Sequence, residues 1–194
     1  RHWLDSAWKK VFVPLLPEHA PQLLDLAVRQ LRDANRLAGA LQPGFDAVSF
    51  RRSAIEPHPQ DDSRNVGDVL IDAARDSLEY LLRVSPEEAV AAIERLAQAE
   101  EPILRRLAVH AWRLRQDRTP DEKLQWILGE RLLYNLDLQH EVFILLKDTV
   151  PLAADETVEA LLDQAQNGQQ DGAGDSSYAP YNLAAWLQMV APEN

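Results

Sequence analysis

The chain has no cysteine among its 194 residues. It can therefore form no disulfide, offer no thiolate nucleophile and hold no cysteine-ligated zinc ion. Long apolar runs are also missing, since none approaches the roughly 18 residues that a membrane-spanning helix needs. Charges at Asp5, Lys9 and Lys10 interrupt the first apolar stretch, so it does not resemble a secretory signal. We expect a cytoplasmic protein that does not associate with a membrane.

Catalytic and cofactor motifs are missing too. The sequence contains no His-Glu-x-x-His, no Gly-x-Ser-x-Gly, no phosphate-binding loop and no dinucleotide fingerprint. We predict no enzyme and expect neither a metal nor a cofactor. The loop from His58 to Asp62 leaves one alternative open, a metal-dependent hydrolase in which His58 works with Asp61 and Asp62. Three nearby arginines can balance the charges of Asp61 and Asp62, which favours a polar loop without a catalytic role. They are Arg51, Arg52 and Arg64.

Basic residues are in the minority. Twenty Lys and Arg stand against 31 Asp and Glu, which gives a net charge of −11. Residues 151–194 contain no Lys or Arg, whereas residues 1–40 carry six basic and four acidic side chains. An acidic protein repels phosphate backbones, so nucleic-acid binding is disfavoured unless one face is locally basic. The chain begins at Arg1 and its one methionine is Met189, from which we expect a piece of a longer protein.

One pattern returns at a step of 34 residues. A small hydroxyl residue, a proline and two acids occur at 85–88 and at 119–122, and a weaker copy with Ala154 in place of proline occurs at 153–156. Apolar residues keep the same step at Val90, Leu124 and Val158, at Ile93, Ile127 and Leu161, and at Leu70, Leu104 and Leu138. A period shared by two helical segments is typical of stacked helix pairs. The sequence therefore predicts an all-α fold in which antiparallel helix pairs stack as an α-solenoid.

The predicted organisation has five parts. They are an N-terminal helical pair at 1–42, an irregular loop at 43–65, three helix-pair repeats at 66–166, a flexible linker at 167–178 and a C-terminal capping helix at 179–194. Helices are expected at 3–16, 21–41, 66–83, 102–116, 120–133, 137–149, 155–166 and 180–190. One more helix is expected to start at the Ser85 cap. Ser85 and Thr119 are the expected N-caps of the helices that follow them. The buried side of the first helix is predicted to consist of Trp3, Ala7, Trp8, Val11 and Leu15.

The clearest candidate interaction surface lies on the predicted helix 102–116. Arg106, His110 and Arg113 recur at i, i+4 and i+7 opposite its apolar face, and Arg105 is adjacent. Such a stripe is either an anion-binding surface or a solvent-exposed face paired with acids. The second interpretation is the more common one for charged helix faces.

Trp126 is a second candidate interaction residue. The corresponding positions of the flanking repeats hold Ala92 and Ala160, which are much smaller. The indole either fills a wider gap between repeats or stands exposed as an anchor for a partner. Packing is the more usual role of an aromatic residue at helical spacing.

The loose apolar periodicity is similar to that of HEAT-like repeats. Tetratricopeptide repeats share the 34-residue length, but the Trp126-to-Tyr134 echo of their signature has the wrong spacing and occurs once. The segment 102–110, Pro-Ile-Leu-Arg-Arg-Leu-Ala-Val-His, resembles the C-terminal helical arrays of bacterial defence proteins with STAND-type nucleotidase or sirtuin-type effector domains. This resemblance implies a role in phage defence, in which the array senses a target or supports assembly while another domain performs the chemistry.

These patterns together predict a non-catalytic module for protein recognition or scaffolding. Its expected partner is another protein or another domain of the same polypeptide. Two alternatives stay open: a nucleic-acid-binding array that uses Arg105, Arg106 and Arg113, and the hydrolase built on the 58–62 loop. Repeat arrays present extended surfaces suited to binding proteins, which favours the first interpretation.

Overall fold

A computed structural model describes residues 2–41, 47–61 and 65–167, together with Gln188. Every regular element in these ranges is helical and none of them is a strand, so the predicted all-α fold is confirmed. The chain divides into two compact units, Arg1–Leu114 and Arg115–Asn194. The boundary falls inside the predicted array at 66–166, and the stacking of three helix pairs stays a prediction. None of the described helices has the length and hydropathy needed to cross a bilayer.

The first unit begins with a segment that the sequence predicted as one helix. It consists of α1 (His2–Ala7), a π-helical turn (Trp8–Phe12) and a 3-10 turn (Val13–Leu15). Trp8 is buried, and its indole Nε1 donates a hydrogen bond to Asp76 Oδ2 at 2.8 Å. Trp3, Val11 and Leu15 are exposed, so the predicted buried side is wrong for these three residues. The prediction assumed a continuous α-helix, whereas the wider π turn changes which positions share a face.

Helix α2 (Leu16–Leu41) starts earlier than the predicted residue 21. It contains Pro21, and a kink with non-helical angles lies at His19. Proline lacks the N–H for a helical hydrogen bond and its ring crowds the preceding turn, which accounts for the kink. Leu24, Ala27 and Leu31 are buried on the side of α2 that packs against α4 (Val66–Val84).

The segment 47–61 is shaped by two short helical turns, α3 (Ala47–Phe50) and a 3-10 turn (Pro59–Asp61). The sequence predicted an irregular loop at 43–65, outside the helix pairs. Yet Arg52, Ala54, Ile55 and Asp61 are buried, and Ile55 belongs to the core of the first unit. This part of the predicted loop is therefore a constituent of the interior.

Helices α4, α5 (Pro86–Ala97) and α6 (Pro102–Leu114) start where the sequence predicted, and α6 ends two residues early. The capping box of α4 pairs Asn65 with Asp68. Ser85 is the N-cap of α5 and Pro86 is its first residue, as predicted, although the Ser85 side chain makes no capping hydrogen bond. Helix α4 packs against α2, α5 and α6, and it is thus the central helix of this unit.

The second unit contains α7 (Pro120–Gly129), α8 (Gln139–Thr149) and α9 (Asp155–Asn167), with 3-10 turns at Leu132–Tyr134, Leu136–Leu138 and Val150–Leu152. The predicted cap at Thr119 is confirmed, since its hydroxyl accepts from Glu122 N–H in a capping box. Helix α7 stops before the predicted residue 133, and Arg131 adopts a left-handed φ of 54° beyond its end. The predicted linker at 167–178 begins at the last residue of α9, Asn167. The rest of that linker and the capping helix predicted at 179–194 lie outside the described residues, apart from Gln188.

Candidate functional site

The predicted basic stripe on α6 does not face solvent. Arg106 is 5% exposed and His110 is 4% exposed, so the expectation of a surface patch is wrong for both residues. The Arg106 guanidinium donates hydrogen bonds to three carbonyl oxygens, those of Ser49 at 3.0 Å, Arg52 at 2.7 Å and Ser53 at 3.0 Å. Arg106 therefore binds the backbone of segment 47–61.

His110 lies between two carboxylates of the first unit. Its Nε2 is 2.8 Å from Glu79 Oε1, and its Nδ1 is 3.9 Å from Glu56 Oε2. Burial alone would raise the pKa of Glu79, but the hydrogen bond with His110 and the nearby charges of His110, Arg75 and Arg83 outweigh it and lower the pKa. This imidazole thus ties α6 to α4.

Four further charged residues form what we call the buried charge cluster: Arg52, Asp61, Asp72 and Arg75. Asp72 Oδ1 accepts from Arg52 Nη2 and from Arg75 Nη1, both at 2.8 Å. Both guanidiniums also donate to the carbonyl of Ile55, at 3.2 Å and 3.0 Å. Buried charges of this kind need paired partners and filled hydrogen bonds, and here the partners come from the loop and from α4.

Asp61 was a candidate ligand of the alternative hydrolase. Its Oδ1 accepts from Ser53 N–H at 3.0 Å, and its Oδ2 is 3.4 Å from Arg52 Nε. Burial would raise the pKa of Asp61, yet the Ser53 hydrogen bond and the Arg52 charge dominate and lower it. His58 Nδ1 accepts from Gln60 N–H at 3.2 Å. These contacts serve the loop itself and give the hydrolase interpretation no support, while Asp62 lies outside the described residues.

The other predicted interaction residues occupy intermediate positions. Arg105, Arg113 and Trp126 are each half-buried, and each takes part in polar or ring contacts. The structure gathers Arg106 and His110 in the interior of the first unit, and it does not place Arg113 beside them there. The role of Trp126 in packing or recognition stays a prediction.

A surface that the sequence did not reveal lies at the start of the first unit. We call it the apolar groove, a depression of about 150 Å³ between the N-terminal segment, α2 and α4. Its lining includes Leu4, Trp8, Phe12, Leu23, Leu26 and Val69. Phe12 stacks on Trp8 with ring centroids 6.0 Å apart, yet Phe12 is 36% exposed and Leu26 is 45% exposed. The groove therefore presents large apolar side chains to solvent.

Further apolar and basic residues of the same N-terminal segment are exposed. Trp3 is 72% exposed, and Val11 and Leu15 are exposed as well. Lys9 and Lys10 follow Trp8 directly in sequence and are exposed, and Lys9 is paired with Asp5 at 3.0 Å. Contiguous exposed apolar surface on a protein is typical of an interaction site.

A second surface lies between α2 and α5. We call it the arginine cleft, a depression of about 270 Å³ bordered by Arg29, Arg32 and Arg95 over Leu24, Ala92 and Leu96. Sequence reasoning missed it because the three arginines come from two helices and no single-helix period links them. The only local signal is the spacing of Arg29 and Arg32, which are three residues apart on one helix and so share a side of it.

No protein-family model, curated protein or solved structure matches this chain. Its function must therefore be argued from the apolar groove, the arginine cleft and the residues that shape them.

Proposed function

We propose that this chain is a non-catalytic protein-recognition module whose apolar groove binds an amphipathic helix of a partner protein. The observation that carries the proposal is the exposure of Phe12 and Leu26 within a groove lined by apolar side chains. Soluble proteins seldom leave such a surface open unless a partner covers it.

The lining of the groove suits a helix. Leu4, Trp8 and Phe12 form one wall, and Leu23 and Leu26 from α2 form another. An amphipathic helix inserts apolar side chains spaced three and four residues apart into a groove of this kind. Trp8 supports this use, because its hydrogen bond to Asp76 holds the indole in place before a partner arrives.

Charge indicates what should flank the apolar face of the partner. Lys9 and Lys10 are exposed on the N-terminal segment that forms one wall of the groove, whereas the chain as a whole carries a net charge of −11. A helix with acidic residues next to its apolar face is attracted here and repelled by most of the remaining surface. The partner we propose is therefore an acidic amphipathic helix.

The resemblance of segment 102–110 to helical arrays of bacterial defence proteins supports the same role. In a larger bacterial protein the module would bind a target or hold an assembly together while another domain acts. A nucleic-acid interface on α6 has less support. The buried Arg106 guanidinium donates its hydrogen bonds to backbone carbonyls inside the protein and does not face a phosphate backbone.

Fluorescence of the N-terminal tryptophans offers a direct test. We would titrate the full chain with a synthetic Leu/Glu peptide of helical amphipathic pattern, with a Leu/Lys version and with a scrambled Leu/Glu version. The Leu/Glu helix should bind, the Leu/Lys helix should bind several-fold more weakly, and the scrambled peptide should not bind.

Two substitutions on one helix make the matched pair for this titration. Leu26→Asp places a charge in the groove and should reduce binding at least about tenfold, whereas Leu37→Asp alters another exposed leucine of α2 and should not. Equal effects of the two substitutions, or equal binding of the scrambled peptide, would contradict the proposal. Concentration-dependent dimerisation that Leu26→Asp abolishes would instead identify a second copy of the chain as the occupant.

A further inference from the structure

We propose that the arginine cleft binds an oxyanion carried on a short apolar body, as in an alkyl phosphate or an alkyl carboxylate. The cleft lies between α2 and α5, and its lining shares no residue with that of the apolar groove. It is thus a separate site that stands or falls independently of the protein-recognition role.

The cleft combines an apolar floor with a cationic border. Leu24, Ala92 and Leu96 are buried beneath it, while Arg29, Arg32 and Arg95 keep exposed side chains around it. A volume of about 270 Å³ is just under the roughly 300 Å³ at which ligand clefts usually begin. A small molecule with one charged end and one apolar end fits this division.

The guanidiniums of the arginine cleft make no close ion pair with a carboxylate among the described residues. Arg95 Nη2 is 4.0 Å from Asp25 Oδ1, and Arg32 Nε is 3.7 Å from Glu101 Oε2, so neither pair is at hydrogen-bonding distance. Arg29 has no carboxylate partner among the residues that the structure describes. Three positive charges against two loosely held carboxylates leave a positive surplus in a chain whose net charge is −11.

Arginine specifies the chemistry of the ligand. Its planar fork donates two parallel hydrogen bonds to a carboxylate or a phosphate, which a lysine ammonium cannot do. The Arg95–Asp25 pair is solvent-exposed and the Arg32–Glu101 pair is partly exposed, and both are longer than a hydrogen bond, so they yield readily to an incoming anion. The apolar floor then favours an alkyl group over a bare inorganic ion.

Isothermal titration calorimetry of the full chain tests the site with four probes: octyl phosphate below its micelle concentration, octanoate, inorganic phosphate and octanol. We expect at least one of the two alkyl anions to bind, and inorganic phosphate and octanol to bind about tenfold more weakly or not at all. The stronger of the two anions identifies the preferred head group. Octanol binding as tightly as both anions would overturn the proposal.

Arginine variants separate the cleft from general electrostatics. Arg29→Gln and Arg95→Gln should each weaken binding of the tighter anion about tenfold, and Arg29→Lys should recover only part of the loss. Arg36→Gln is the matched control, because Arg36 is an exposed arginine of α2 that does not line the cleft. An equal loss in Arg36→Gln, or no loss in either cleft variant, would overturn the assignment. Circular dichroism verifies folding, and the two cleft variants serve as checks on each other.

Leu26→Asp keeps this test distinct from that of the apolar groove. The substitution lies outside the arginine cleft and should leave anion binding unchanged. Anion binding that survives a failed peptide titration would leave the cleft proposal intact. Loss of anion binding in Leu26→Asp would count against a separate site.

Discussion

The first unit uses arginine in two opposite ways. Arg106 of α6 is buried and donates to three backbone carbonyls of segment 47–61. Arg29 and Arg95 in the arginine cleft are exposed and have either no carboxylate partner or a loose one among the described residues. The sequence pattern drew attention to Arg106 and passed over the other two. The contrast teaches that the number of fixed partners, and not the charge, separates a structural arginine from one available to a ligand.

Arg115 in the second unit shows an intermediate arrangement. It is buried, and its Nε and Nη2 bind the two carboxylate oxygens of Asp117 at 2.9 Å and 2.5 Å. The hydrogen bond from Arg115 is the main reason that the pKa of Asp117 is lowered, although Asp117 itself remains largely in solvent. Here a buried arginine binds a carboxylate only two residues away in sequence, whereas Arg106 joins distant parts of the chain.

The largest expected effect concerns the contribution of the buried Arg106 to stability. Arg106→Met removes the donors to three carbonyls, and we expect it to lower the free energy of unfolding by about 3 kcal/mol. Arg106→Lys keeps the positive charge but lacks the planar guanidinium, and it should lower the free energy of unfolding by roughly half as much. Urea denaturation followed by circular dichroism measures both. Arg95→Met is the control. If it lowered the free energy of unfolding as much as Arg106→Met, the two arginines would not differ in their structural role.

A middle-sized effect concerns the carboxylate that binds His110. Because the pKa of Glu79 is lower in the folded protein than the ordinary value of 4.5, its contribution is fully present above that pH and is lost as the pH falls below it. Glu79→Gln should therefore cost about 1 kcal/mol at neutral pH, a modest value because solvent screens the partly exposed carboxylate. The cost should fade as the medium becomes acidic.

Urea denaturation at a series of pH values between about 3 and 7 checks this expectation. Asp61 acts in the same direction as Glu79, since its pKa is also lowered, whereas burial raises the pKa of Asp68 and makes its charge unfavourable at neutral pH. Glu94→Gln, an exposed change on α5, is the matched control. A constant difference between Glu79→Gln and the parent chain across the series would refute the linkage.

The smallest expected effect tests the other side of the contrast. Arg29→Gln and Arg95→Gln should each change the free energy of unfolding by less than about 0.5 kcal/mol, because exposed loose ion pairs contribute little. The same variants should lose anion binding. A stability loss near that of Arg106→Met would show that these arginines hold the fold, and would remove the reason for regarding them as ligand donors.

Helix starts were the most predictable features of this chain. Pro86 and Pro120 each occupy the first position of a helix, and Thr119 forms its capping box, because these signals act within one turn. Helix ends were less predictable, as the early stop of α7 near Arg131 shows. The π turn at Trp8–Phe12 had no signal in the periodicity, so the exposed face of the N-terminal segment was misassigned.

The candidate sites were beyond the reach of sequence patterns. The apolar groove depends on α1, α2 and α4 meeting, and the arginine cleft depends on α2 and α5 meeting. A helical period reports which residues of one helix share a face, but it does not report which other helix covers that face. Exposure of Leu26 or Arg29 therefore followed from packing alone.

The sequence by itself determined that the chain is helical and where most helices begin, since those properties rest on side chains a few residues apart. Only the tertiary structure decided that Arg106 is internal, because its three carbonyl partners lie 53 to 57 residues away along the chain. The same holds for the loop at 47–61, whose buried Arg52 bonds to Asp72 of α4. Burial of a charge becomes favourable when distant groups supply its hydrogen bonds, and those groups meet only when the chain has folded.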